Sequence, residues 1–333
     1  MLELAVAACI GASLVVYVLM AGADFGGGLW DLVASGPRAE RQRHAIAAAI
    51  GPIWEANHVW LILVVVLLFT GFPSGFAVMM TALNIPLTVM LLGIVARGAA
   101  FVFREYDADA DRVQRWSRVF GAASVCTPLV QGLTIGALAT GRIRVADGRV
   151  TSGFLAGWLT PFALSCGVFA LALFAFLAAT YLTVDTRREP DLQDDFRRRA
   201  IGAGLFLAPV ALAVLVAGRH GAPELFRGVT RWWAPWLLAL TSVCAVVALA
   251  ALWARRFALA RAAAAGQVAL IVTGWCLAQF PHLVVPDVTV ANARAPDATL
   301  RMLLIALACG GVVLLPSLAL LFRLFKSEKS EPA

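Results

Sequence analysis

Three ionisable side chains, Asp24, Glu55 and Arg97, stand inside or at the ends of long apolar runs. In a bilayer such a group costs roughly 2.5–3.5 kcal/mol to insert, so it faces protein or water and marks a route for ions or protons. A carboxyl held among other charges in a dry site can be tuned to exchange protons near neutral pH. The chemistry expected here is therefore proton handling by Glu55 and Asp24, with Arg97 as the residue that positions them. A packing lock between Arg97 and either acid is the plainer alternative, because long side chains near helix ends also reach water.

Around Glu55 the chain reads Trp54-Glu55-Ala56-Asn57-His58-Val59-Trp60. Trp54, Asn57 and His58 join Arg97 as the expected supporting cluster. Glu55 and His58 have the Glu-x-x-His spacing of di-iron bundles, but that site needs a second such motif and two further helical glutamates. The other apolar runs offer none, so no metal is expected, and His58 is read as a hydrogen-bonding residue of the bundle. Gly26-Gly27-Gly28 precedes no Lys-Ser/Thr and follows no strand, which excludes a phosphate loop. Close helix packing explains these glycines better. The six cysteines, Cys9, Cys126, Cys166, Cys244, Cys276 and Cys309, form no CxxC and are read as small buried hydrophobes.

The elements that must carry these residues are membrane helices. Of 333 residues, 61% are hydrophobic and only 14% charged, too few to cover a water-soluble globule. Apolar runs near 2–32, 52–72, 76–103, 117–139, 155–184, 200–218, 232–253, 262–280 and 300–323 predict nine spans in one membrane domain covering 1–333. The fold class expected is all-α, with two four-helix bundles plus one extra helix. The acid in Met1-Leu2-Glu3-Leu4 argues against a signal peptide, so the first run is read as a retained helix. The net charge of +7 sits in short loops, which suits lipid headgroups rather than nucleic acid. Eighteen Lys and Arg fall in one set of alternating loops and eight in the other, placing the N-terminus outside and the C-terminal tail in the cytoplasm. Helical rise then puts Asp24, Glu55 and Arg97 at one depth near the cytoplasmic face. Segment 185–199, acidic then basic, predicts a short surface helix, and most tryptophans, from Trp30 and Trp60 to Trp232 and Trp236, are read as interfacial anchors. Prolines and turn formers from Phe280 to Thr299 predict an ordered outer loop in which His282 has no second ligand.

Taken in order, these motifs resemble subunit II of the cytochrome bd quinol oxidases: Asp24-Phe25-Gly26, Pro52-x-Trp54-Glu55-x-Asn57-x-Val59-Trp60, Arg97, and Phe280-Pro281 through Pro286 and Asn292-Ala293 to Asp297-Ala298-Thr299. The resemblance spans essentially the whole chain, and its lean loops suit the shorter branch that includes the cyanide-insensitive oxidases. It implies a haem-free subunit in a bacterial inner membrane, paired with a subunit I that holds haems b558, b595 and d. Small accessory subunits and a quinone held as a structural element occur in the family. The complex oxidises quinol and reduces dioxygen to water with protons from the cytoplasm, and the acid at the Glu55 position belongs to the proton path. Glu55 stands where Asp is common and His58 where Gln is common. With only His44, His58, His220 and His282 present, and one of them well inside a run, no bis-axial haem site is evident in the residues themselves. The competing expectation is an ion-coupled secondary transporter, which also carries buried acids and would use discontinuous helices.

Overall fold

The computed structural model describes residues 1–51, 54–107 and 109–327. Its long helices are α1 (Leu2–Leu32), α3 (Trp54–Gly71), α5 (Asn84–Tyr106), α6 (Ala110–Ala139), α7 (Pro161–Asp185), α8 (Pro190–Gly221), α10 (Ala234–Trp253), α11 (Phe257–Gln279) and α12 (Asp297–Ser327). Shorter helices α2 (Ala39–Ile50), α4 (Pro73–Ala82) and α9 (Pro223–Gly228) lie between them. Among the described residues eight helices are long and apolar enough to cross a bilayer, and nine when α3 and α4 count as one bent span.

The helices sort into two groups. In the first, α1 packs against α3 and α6, and α6 against α5; in the second, α7, α8, α10 and α11 pack together, with α7 set against α1 and α6. The last helix, α12, lies outside both groups against α1 and α3. This is the expected arrangement of two four-helix groups and one extra helix.

Several boundaries differ from expectation for local reasons. The expected span 76–103 is two helices: Pro73 cannot continue α3 and opens α4 at its first position, bent 118° from the preceding helix. Pro86 then lacks the N–H that would bond to Ala82, and the chain restarts as α5 at Asn84. The expected surface helix in 185–199 is instead the first turns of α8, because Leu192, Phe196 and Ala200 form one buried stripe that runs into the span. Helix α7 starts later than expected, at Pro161, where the Thr160 side chain accepts from the Ala163 N–H at 3.1 Å. Helix α2, which no apolar run announces, buries Gln42, Ile46 and Ile50 at four-residue spacing.

At one end of the molecule lie the arginine-rich connections, where Arg38 binds Asp195 through two hydrogen bonds of 2.7 and 2.6 Å and fastens α2 to α8. The opposite end is closed by two small hairpins, β1–β2 (Val145–Ala146 with Arg149–Val150) and β3–β4 (His282–Val284 with Val288–Thr289). Asp287 accepts from Arg144 Nε at 3.0 Å and from the Val145 N–H at 2.8 Å, and the Ala295 N–H donates to Gly71 O at 2.8 Å. The expected capping loop is thus tied to α3 and to the neighbouring hairpin.

The cysteines are free, but Cys126 and Cys309 lie on exposed helix faces rather than in the core. Two of the expected anchor tryptophans are internal: Trp30 donates to Ala175 O at 2.8 Å, and the Trp60 indole nitrogen is buried. Trp232 and Trp236 remain exposed.

The glycine triplet works as packing, one residue per neighbour. A Cβ on Gly26 would lie 2.0 Å from Phe174 O of α7, one on Gly27 would press Ile50 of α2 at 2.8 Å, and one on Gly28 would meet Ser124 Oγ of α6 at 2.1 Å. Helix α1 therefore meets the α7 backbone at Gly26 and seats side chains of α2 and α6 on Gly27 and Gly28, the close approach that small residues permit in lipid. Gly26→Ala is expected to lower the melting temperature of the purified protein through an overpacking cost of roughly 1–3 kcal/mol. Gly202→Ala, whose Cβ would enter open space, should leave it unchanged.

Candidate functional site

Each helix of the first group contributes one polar side chain to a common layer: Asp24 from α1, Asn57 from α3, Arg97 from α5 and Ser124 from α6. Asp24, Asn57 and Ser124 are 0% exposed and Arg97 is 1% exposed, so the layer lies in the protein interior. Arg97 Nη1 donates to Asp24 Oδ2 at 3.0 Å, while Nη2 donates to Asp24 Oδ1 and, at 3.2 Å, to the Asp24 backbone oxygen. Its Nε donates to Ser124 Oγ at 3.0 Å, and Ser124 in turn donates to Phe120 O at 2.7 Å. Asn57 Nδ2 completes the carboxylate shell at Asp24 Oδ2, 2.6 Å away.

The guanidinium also has aromatic faces to lie against. Arg97 Cζ is 4.8 Å from the ring centres of both Phe25 and Phe120. Flat, weakly hydrated guanidinium tolerates such surroundings, whereas a lysine ammonium would lose both the fork and the stacking. Desolvating two charges is costly, and this pair recovers the cost through bidentate geometry and through partners for the remaining polar atoms.

A second pair repeats the pattern one heptad nearer the arginine-rich end. Asp31 is seven residues after Asp24 on α1, and Arg104 seven after Arg97 on α5. Arg104 Nη1 lies 3.1 Å from both Asp31 carboxylate oxygens and its Cζ is 4.7 Å from the Phe120 ring. Phe120 thus lies between the two guanidinium groups.

Of the residues expected from sequence, Asp24, Arg97 and Asn57 meet directly. His58 joins at one remove, its Nδ1 sharing a hydrogen bond with the Asn57 side-chain oxygen. Trp54 lies beside the layer rather than in it, with its ring 5.8 Å from that of Phe101 and close to Gly98. Glu55 occupies the first turn of α3, two residues before Asn57, and its side chain lies outside the described residues. His44, His220 and His282 lie on α2, α8 and β3, away from the layer. Among the described residues no group of three His, Cys, Asp or Glu side chains could hold a metal. Ser124 and Phe120 gave no sequence signal, since serine and phenylalanine are unremarkable in an apolar run, and Phe25 stood out only as part of the Asp24-Phe25-Gly26 motif. The Asp31–Arg104 pair did leave a signal: two acids and two arginines each spaced by one heptad.

Arg97→Met leaves the Asp24 charge buried without its main partner and is expected to destabilise the protein by about 3–5 kcal/mol. Combining Asp24→Leu with Arg97→Met removes both charges and should recover most of the lost melting temperature. A double variant as unstable as the single one would show that the ion pair does not set the cost.

Comparison with known proteins adds the family. The family model described as cytochrome bd terminal oxidase subunit II matches residues 2–325. The chain is 27% identical over 298 residues to the cytochrome bd ubiquinol oxidase subunit 2 of Bacillus subtilis (strain 168), covering 87% of this chain and 86% of that protein. It is 25% identical over 187 residues to the cytochrome bd-I ubiquinol oxidase subunit 2 of Escherichia coli (strain K12), covering 55% of this chain and 49% of that one. The bd oxidase structure from Geobacillus thermodenitrificans shares the fold, with a TM-score of 0.79 at 21% identity over 97% of this chain and 98% of that chain. These relatives are subunits of an oxidoreductase complex, and the match over almost every residue replaces the transporter alternative: the chain belongs to the cytochrome bd terminal oxidase subunit II family.

Proposed function

We propose that this chain is the haem-free second subunit of a quinol oxidase in a bacterial inner membrane, in which quinol is oxidised, dioxygen is reduced to water, and protons enter from the cytoplasm. The observation that carries this is the family match across residues 2–325. Subunit I supplies the electron chemistry through haems b558, b595 and d. Quinol binds to the complex, and small accessory subunits, a structural quinone and membrane lipids complete it as in other members of the family.

The part played by this chain's own residues is proton uptake. Glu55 is the exchanging acid, placed at the start of α3 near the arginine-rich end. Asp24 serves the same path beside it, its two carboxylate oxygens accepting hydrogen bonds from Arg97 and Asn57. Asn57 links the two positions, since it lies on the helix that carries Glu55 and bonds to Asp24. Arg97 holds Asp24, and His58 orients Asn57.

The arginine-rich connections all fall at one end of the helices, which supports a cytoplasmic position for that end. With nine crossings the N-terminus is then outside and the C-terminal tail inside. Green fluorescent protein fused to the C-terminus is expected to fluoresce, because it folds only on the cytoplasmic side; a dark, stable fusion would reverse the orientation.

The activity is tested by co-purification with subunit I. The complex is expected to carry haem absorption and to consume oxygen when given quinol. In that complex Glu55→Gln should lower turnover by roughly tenfold or more while haem content stays unchanged, and Glu55→Asp should retain most of it. Unchanged turnover in Glu55→Gln would remove Glu55 from the path.

A further inference from the structure

Above the Asp24–Arg97 layer, on the side away from the arginine-rich end, the first helix group contains a second set of polar atoms. Thr127 Oγ1, the Gln131 side-chain oxygen and Trp60 Nε1 are buried and have no hydrogen-bond partner. Thr127 is 0% exposed and Gln131 8%. An orphaned buried polar atom costs about 1–3 kcal/mol, so three in one helix group require an account.

Their placement is regular. Tyr17 is seven residues from Asp24 on α1, and Gln131 seven from Ser124 on the antiparallel α6, a rise of roughly 10 Å on each. These equal steps bring the two side chains together, and Gln131 Nε2 donates to the Tyr17 hydroxyl. Reversing the Gln131 amide would only exchange which end is unpaired. Between the two levels, at a rise of roughly 5 Å, lie Trp60 one turn from Asn57 and Thr127 one turn from Ser124. Gly93 faces Thr127 from α5, one turn from Arg97, and a Cβ there would lie 2.3 Å from Thr127 Oγ1. The orphans are chemically complementary: an indole donor, a carbonyl acceptor, and a hydroxyl that can do both. Water is the ligand that satisfies such a set, since a buried water typically makes about three hydrogen bonds to otherwise unpaired groups.

We infer that the first helix group binds internal water at Thr127, Gln131 and Trp60, extending the hydrogen-bonded Asp24–Asn57–Arg97–Ser124 layer about two turns towards Tyr17, as an inward branch of the proton path. The branch rests on the proton-uptake role proposed above. Its water does not, because it is argued from the orphaned atoms and not from that role. Each water in the relay forms one O–H bond to the arriving proton and breaks another as it passes a proton on, so a proton entering at one end of the chain is matched by one leaving at the other.

The test uses the complex with subunit I. A cryo-EM map at a resolution that shows ordered water should place density within hydrogen-bonding distance of Thr127 Oγ1 and the Gln131 amide; a dry interior there overturns the inference. Thr127→Val preserves shape and removes the hydroxyl. It is expected to abolish the adjacent density and slow proton uptake, followed with a pH-indicating dye after an oxygen pulse, by severalfold at unchanged haem content. Thr127→Ser should restore both, which separates loss of the hydroxyl from misfolding. Density at Thr127 with normal uptake in Thr127→Val overturns the branch. If Glu55→Gln slows uptake and Thr127→Val does not, the inference fails alone; if neither does, the proton-uptake role of this chain fails with it.

Discussion

A charge pair taken out of water governs the first half of this molecule. Arg97 is among its largest fully buried side chains, and every helix of the first group supplies something that makes its burial tolerable. Helix α1 gives the carboxylate and the Phe25 face, α6 gives Ser124 and the Phe120 face, and α3 gives Asn57 to the carboxylate. Since an unpaired buried charge is so costly, the four helices can pack only in the register that closes this shell. The same requirement explains why α1 is glycine-rich at this depth: Gly28 must leave room for Ser124, whose hydroxyl meets the guanidinium.

The two helix groups solve the problem of polar atoms in lipid differently. In the second, Thr180 and Thr183 donate to carbonyls of their own helix, Phe176 O and Thr180 O, so their polar groups are satisfied within one element. Such bonds constrain nothing between helices. In the first group the bonds among Asp24, Asn57, Arg97 and Ser124 run from helix to helix, and losing one member leaves its partner on another helix unsatisfied. The second group has helix-to-helix polar bonds too, such as Arg197 Nε to Leu252 O at 2.8 Å, and it shares with α1 an apolar cluster that includes Phe25, Phe176 and Leu207.

What was legible in the sequence follows from the same physics. Asp24 and Arg97 could be placed together because spanning helices have a fixed rise and alternate in direction, so counting residues gives depth, and Asn57 came with them as a neighbour of Glu55 in the same stretch. Depth does not give azimuth, and so the partners Ser124 and Phe120 stayed hidden among ordinary apolar neighbours. The α4 break was hidden for another reason: residues 73–96 carry no charge and read as one hydrophobic stretch, and hydropathy does not register that Pro73 and Pro86 each remove a backbone donor. Helix α2 and the first turns of α8 were obscured by their charges, although Gln42, Ile46 and Ile50, like Leu192, Phe196 and Ala200, mark a buried stripe at helical spacing.

Those two charged segments also bear on how the polar layer is closed from below. Arg43 Nη2 donates to Ala34 O at 3.0 Å, Arg199 Nη2 donates to Gln42 Oε1 at 2.7 Å, and the Arg199 guanidinium lies 5.4 Å from the Trp30 ring. The connection after α1 is thus fastened to both α2 and α8 by side chains that reach backbone or neutral acceptors. Free carbonyls at the end of α1 would otherwise compete for the Arg104 guanidinium, which is needed by Asp31. By satisfying that helix end independently, the arginine-rich face leaves the two heptad-spaced ion pairs intact.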